Sequence, residues 1–154
     1  MTHHCTVIAE AGVNHNGSME LAYRLIDVAA VAGADYVKFQ TFRAAALATG
    51  SAPKASYQKA TTGHAESQLE MLKRLELPLE AFADLAACCA DKGIAFMSTP
   101  FDLEAAHFLA GLDMSAFKVS SGDLTNTPFL REIGRIGKPV ILSSGMATLG
   151  EVEQ

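Results

Sequence analysis

Short apolar runs alternate with longer amphipathic segments along the whole chain, and each run closes on polar residues. Glu10 follows CTVIA, Lys38 and Gln40 close DYVKFQ, and Ser98 and Thr99 close IAFMST. Lys118 and Ser121 close AFKVSS, and Ser143 and Ser144 close PVILSS. Runs this short, rich in β-branched and aromatic residues, predict five strands near residues 6–10, 36–40, 94–98, 116–120 and 140–143. The intervening segments predict helices. One starts at Ser18, whose hydroxyl can cap it, carries Leu21, Leu25, Ile26 and Ala29 at helical spacing, and stops at Gly33. Short helical turns are expected around SQLEMLKRLEL, then firmer helices at 79–92 (stopped by Gly93), 103–109 and 128–136. Thr148, followed three residues on by Glu151, opens a last one as a capping box.

Residues 42–66 break the pattern. They are rich in Ala, Ser, Thr and Gly, contain Pro53, and form a stretch long enough to suggest an active-site loop. Elsewhere strands and helices alternate without a linker, which implies parallel strands joined by right-handed crossovers. An open doubly wound sheet and part of an eight-stranded (β/α) barrel both satisfy this. A doubly wound sheet gathers its ligand groups at one or two switch points, whereas here all five strands end in polar residues, so a TIM (β/α)8-barrel is expected. A complete barrel takes about 250 residues and eight strands. The 154 residues supply about five of the eight βα units, and the chain reads as the amino-terminal part of a longer protein.

Composition narrows the chemistry. With 49% hydrophobic and 19% charged residues the chain can bury a core, and a net charge of -5 argues against a nucleic-acid footprint. No apolar stretch reaches the roughly 18–20 residues that cross a bilayer, and the amino terminus lacks a secretory pattern, so a cytoplasmic protein is expected. Cys5, Cys88 and Cys89 do not make a disulfide framework and read as reduced thiols. His3 and His4 fall in a terminus expected to fray, and His64 and His107 lack a partner at metal-ligand spacing.

Within an acidic chain, two lysines and several hydroxyls at one rim form a local pocket for a small, multiply charged anion. Lys38 and Lys118 each sit between apolar neighbours, and an unpaired buried ammonium is costly. A solvated lysine at a sheet edge is the alternative for either one alone. Ser and Gly at strand-to-helix turns let backbone approach an anion closely, although a single SSGD or SSGM is also an ordinary turn. Glu10 either acts chemically or caps a loop. Asn14, His15, Asn16 and Gly17 form a turn suited to positive φ, with substrate contact as the other reading.

The segments IAEAGVNHNGSMELA, DYVKFQTF, SAPKASYQ, ESQLEMLKRLEL, FMSTPFD, AFKVSSGD and ILSSGMATLGEVE resemble, in order and spacing, the amino-terminal part of the sialic acid synthases. That group includes the bacterial legionaminic and pseudaminic acid synthases, and the neuraminate and legionaminate branches look most similar. The resemblance implies condensation of phosphoenolpyruvate with an open-chain N-acylmannosamine-type sugar to a nine-carbon 2-keto acid, with phosphate released. It implies that Lys38 and Lys118 bind phosphoenolpyruvate, that Thr99 and Ser121 donate hydrogen bonds to it, and that Glu10 and Gln40 contact the sugar. Asp123 stands where the group usually carries glutamate in an SGE motif, one methylene shorter, and the resemblance implies that it and Glu10 are the catalytic carboxylates.

The resemblance further implies a divalent metal, Mn2+ or Mg2+, whose histidine ligands lie on later strands outside this chain. A small antifreeze-like carboxyl-terminal domain and a swapped homodimer are also implied, neither contained here, so the 154 residues alone are expected to be inactive. Two alternatives stay open: another phosphoenolpyruvate-dependent aldol synthase making an eight- or seven-carbon keto acid, or a noncatalytic half-barrel that binds an anionic metabolite.

Overall fold

The computed structural model describes residues 4–48 and 67–154. The described elements are β1 (Ile8–Gly12), α1 (Met19–Val31), β2 (Tyr36–Thr41), α2 (Ala44–Leu47), α3 (Gln68–Leu75) and α4 (Leu79–Asp91). They continue with β3 (Ala95–Pro100), α5 (Leu103–Ala110), β4 (Phe117–Val119), a 3-10 turn (Ser121–Asp123), α6 (Thr127–Ile136), β5 (Val140–Leu142) and α7 (Leu149–Val152). Part of the segment read as an active-site loop is therefore α2, while residues 49–66, with Pro53 and His64, lie outside the described residues.

Side-chain caps start five of the seven described helices. Ser18 accepts from the Leu21 N–H, Asp102 from Ala105 and Asn126 from Phe129. Full capping boxes, Ser67 with Glu70 and Thr148 with Glu151, open α3 and α7.

The first strand lies two residues later than the apolar run suggests. The Asp35 carboxylate accepts the Val7 N–H at 2.7 Å, and the Val7 carbonyl accepts from the Asp35 and Tyr36 N–H groups. Turn bonds thus consume the backbone before Ile8, and laddering begins where Ile8 meets Tyr36.

All strand pairs are parallel. β1, β2 and β3 form one ladder in chain order, β4 and β5 form a second, and β3 lies against β4. A doubly wound sheet reverses strand order after its first crossovers; this one does not.

The two faces of the sheet differ in kind. One carries Val37, Phe39, Phe96, Phe117 and Val119, packed with Ile26 of α1, Phe82 and Leu85 of α4, Leu109 of α5 and Ile133 of α6 into a single core. Because side chains alternate along a strand, Lys38, Gln40, Met97, Thr99 and Lys118 are directed to the opposite face. Ser98 falls on the helix-packed side, where its hydroxyl meets that of Thr41 at 2.7 Å in a buried pair. Of the two hydroxyls closing that strand, Thr99 alone faces the lysines. At the far end of the sheet Val140, Ile141 and Leu142 are 42%, 40% and 46% exposed, so β5 is bare on both faces. Parallel strands are normally covered on both.

Cys5, Cys88 and Cys89 are all free thiols, and burial pushes that of Cys89 up to about 12. Among the described residues no helix is long and apolar enough to cross a membrane.

Candidate active site

The ladder sets Glu10 opposite Lys38 and Lys38 opposite Met97, so Glu10 and Lys38 share one face at the same level. Their side chains form an ion pair. Lys38 is 9% exposed, whereas half of the Glu10 side chain is open to solvent. Only the cation is sequestered. Its partner can be exchanged for another anion without being drawn out of a core.

Lys118 projects from β4 on the same side. Its Nζ donates to the Val119 carbonyl at 2.9 Å and to Ser143 Oγ at 2.5 Å, just past the end of β5. Burial lowers its pKa from the usual lysine value, the nearby Lys38 charge lowers it further, and Glu10 partly offsets both. Two cations and one carboxylate thus lie within electrostatic reach of one another on this face. An added anion would relieve the excess charge. Ser143 belongs to this group although its strand-end position was its one signal in the sequence: the register matches Lys118 to Ile141, and Ser143 lies one same-face step beyond.

Gln40 pairs in register with Thr99, one layer above Lys38 and nearer the carboxyl rim. Gly12 shows how closely Gln40 approaches Glu10. A Cβ built on Gly12 would lie 2.9 Å from Glu10 Oε1 and 3.5 Å from Gln40 Nε2. Glu10, Lys38, Gln40, Thr99 and Lys118 are therefore gathered at one end of one face, as the sequence pattern suggests.

Ser121 and Asp123 follow β4 in the 3-10 turn at the same rim. Ser120 stabilises that turn by accepting the Gly122 N–H at 3.2 Å. The Asp123 carboxylate lies 3.4 Å from the Asn126 side-chain amide at the head of α6. In this arrangement Asp123 is tied to its own turn, and no described contact joins it to the lysine pair.

The Asn14–Gly17 turn takes the positive-φ geometry its residues suit. Asn16 and Gly17 have φ of 50° and 75°, and His15 is buried, its Nδ1 accepting the Gly17 N–H at 3.1 Å. His107 lies in the last turn of α5, and His4 pairs with Asp35. Among the described residues no group of three or more His, Cys, Asp or Glu side chains could hold a metal ion, so the donor set present does not fit one.

The rim is braced from outside. Asp102 accepts the Arg43 N–H at 2.8 Å with one oxygen and the Ala105 N–H at 2.7 Å with the other, fastening the chain after β2 to the head of α5. Glu76 accepts the Ala44 N–H at 3.0 Å, and Glu104 meets the Arg43 guanidinium at 3.2 Å. Sequence reasoning passed over Asp102 because a carboxylate before a helix reads as a cap and nothing more.

Residues 25–154 match the NeuB family. The chain is 51% identical over 148 residues to N,N'-diacetyllegionaminic acid synthase of Campylobacter jejuni, covering 96% of this chain and 44% of that protein. Identity to the Legionella pneumophila protein of the same name is 45%, covering 96% and 42%. The crystal structure of N-acetylneuraminic acid synthetase from Leptospira borgpetersenii, in complex with citrate, superposes with a TM-score of 0.79 at 32% identity, covering 97% of this chain and 48% of that one. The chain thus spans less than half the length of these relatives.

Proposed function

The chain belongs to the NeuB family, and from that premise we propose that the protein containing it condenses phosphoenolpyruvate with an open-chain N-acylmannosamine-type sugar, making a nine-carbon 2-keto acid. The names of its relatives support a sialic or legionaminic acid synthase. The observation that carries the reading is the placement of Lys38 and Lys118 on one face of the sheet, where the half-exposed Glu10 carboxylate pairs with Lys38 and only partly offsets the charge felt by Lys118.

Phosphoenolpyruvate brings close to three negative charges. Lys118 spans its carboxylate and phosphate and Lys38 takes the other flank, their attraction strengthened where water is excluded. The hydroxyls of Thr99, Ser121 and Ser143 and the backbone of the turns after β3, β4 and β5 supply hydrogen-bond donors. Anion binding at Lys38 frees the Glu10 carboxylate for the sugar, alongside Gln40. In the reaction the C2=C3 electrons of phosphoenolpyruvate form a bond from C3 to the aldehyde carbon, and the aldehyde oxygen takes up a proton. Water adds at C2 with loss of a proton, and the resulting hemiketal phosphate expels phosphate to leave the ketone. Glu10 is placed to hold or pass the proton at the aldehyde or a sugar hydroxyl.

A divalent metal, Mn2+ or Mg2+, would be held by residues outside this chain, since the described donors do not form a site for it. The bare flanks of β5 fit a sheet continued into a (β/α)8 barrel by later strands. We further propose that activity belongs to the full-length protein, as a homodimer in the cytoplasm, and not to these 154 residues alone.

The test is phosphate release by the full-length protein supplied with Mn2+, phosphoenolpyruvate and either N-acetylmannosamine or its diacetamido-trideoxy relative. Turnover with one of these sugars is expected. Turnover with a pentose or tetrose phosphate, and with neither amino sugar, would replace this reading with an eight- or seven-carbon keto acid synthase.

A further inference from the structure

We propose that Gly12 is a positioning residue for the sugar side of the site: the space left by its missing Cβ is where the Glu10 carboxylate and the Gln40 amide come together. The inference rests on the assignment of Glu10 and Gln40 to the sugar, and extends it to a residue with no side chain of its own.

The end of β1 is irregular. Glu10 faces Lys38 in the ladder, but the next residue of β2, Phe39, is matched to Gly12 instead of Ala11. One extra residue has entered β1, as in a bulge, and bulges re-aim neighbouring side chains. Gly12 is buried there with φ of 54°, and the position a Cβ would take is bounded by Glu10 Oε1 at 2.9 Å and Gln40 Nε2 at 3.5 Å. A carbon 2.9 Å from a carboxylate oxygen is too close to persist. The obstructing atom is the tip of a flexible side chain, so the carboxylate yields and the backbone stays. A methyl group at position 12 therefore shifts the Glu10 carboxylate from its place beside Lys38 and Gln40 without dismantling the strand.

Two other glycines of positive φ define the contrast. A Cβ on Gly17 would meet the Arg74 carbonyl oxygen at 2.4 Å, a backbone atom that cannot move aside, so Gly17 serves the fold. Gly33, with φ of 76°, has nothing within 4 Å of its Cβ position. Substituting Gly33 by alanine imposes the left-handed strain alone.

The experiment uses the full-length protein and four variants: Gly12→Ala, Glu10→Gln, the two combined, and Gly33→Ala. Displacing a catalytic group by about 1 Å can lower a rate about 100-fold, so Gly12→Ala is expected to lower kcat/KM for the sugar by roughly 10- to 100-fold. In the Glu10→Gln background the same change should add no more than about twofold, because the group it misplaces is already disabled. Gly33→Ala should lose comparable thermal stability and keep its activity. Equal factors in both backgrounds, or an equal loss of activity in Gly33→Ala, overturn the proposal.

If Gly12→Ala does not fold, adding Glu10→Ala removes the obstruction, and the double variant should fold and fall below Glu10→Ala alone by no more than Gly33→Ala falls below wild type; a larger deficit overturns the proposal. If the wild-type protein turns over no amino sugar, the synthase reading falls, and the crystal structure of Gly12→Ala decides the inference by itself. A Glu10 carboxylate displaced from its wild-type position upholds it, and one that superposes on the wild-type carboxylate ends it.

Discussion

Lys38 and Lys118 stand on the same side of the sheet, near enough that the charge of the first lowers the pKa of the second. Burial of Lys118 acts in the same direction and more strongly. The unliganded protein therefore holds that ammonium at a cost. The unfolded chain keeps the Lys118 proton to a higher pH than the folded one, so between the lowered pKa and 10.5 the unfolded state binds more protons and stability rises with pH. Below that window the full penalty remains. Lys118→Met, which keeps the length and loses the charge, should raise Tm at pH 7. It should also abolish the alkaline gain. Calorimetry from pH 7 to 10.5 checks both, and an unchanged or lower Tm at every pH would show that the bonds to Val119 and Ser143 outweigh the charge.

Lys38→Met should raise the Lys118 pKa, because repulsion disappears while the Glu10 carboxylate stays nearby. The same variant should weaken phosphoenolpyruvate binding by roughly 10- to 100-fold, the range expected for one charge-assisted contact. Titrating carbon-13-labelled lysine side chains by NMR measures the first effect, and isothermal calorimetry the second. A Lys118 pKa indifferent to Lys38 would mean that the two charges do not share a site.

The alternation of apolar runs and amphipathic segments made the strand and helix order legible, because strands that pack one face on a shared core are short and apolar while the helices covering them keep a polar side. The end of β1 was not legible. Where that strand begins depends on Asp35 engaging Val7 from across the turn, and its final register depends on a bulge that leaves no composition signal. Lys38, Gln40, Thr99 and Lys118 could be grouped from sequence because alternation fixes their face. Ser98 and Thr99 are alike in residue type; the family resemblance singled out Thr99, and the register sets the two on opposite faces. Asp123 shows the limit at a turn: its direction is set by Asn126 in the next helix cap.

Asp102 should prove a larger stabiliser than an ordinary cap. Its two oxygens hold two backbone N–H groups from different segments, Arg43 and Ala105, at 2.8 and 2.7 Å. Asp102→Ala removes both bonds and should cost about 2–3 kcal/mol, a cap plus a charge-assisted hydrogen bond. Asn in its place keeps one oxygen for the cap but presents an amide N–H to the N–H of Arg43. About half the loss is expected there. Denaturant midpoints compared at constant m-value test the difference, and equal losses in the two variants would show that the Arg43 bond contributes nothing.

His15 should make the protein acid-sensitive. Its Nδ1 accepts the Gly17 N–H at 3.1 Å, so the neutral ring carries its proton on Nε2, which is buried without a partner among the described residues. The ring also lies against Phe39, centroids 6.2 Å apart. Burial lowers the His15 pKa below 6.5. As pH falls from 6.5 toward the folded value the unfolded chain takes up the proton first, so the stability that neutral His15 confers, complete above 6.5, is lost across that window. Protonation would break the Gly17 bond and leave a charge in the core beneath the β1–α1 turn, next to the strand that carries Glu10. His15→Phe keeps an aromatic ring on Phe39 and cannot titrate. Its Tm relative to wild type should therefore improve steadily between pH 7 and pH 5. A Tm difference that stays constant over that range would place the acid sensitivity elsewhere and leave His15 a packing residue only.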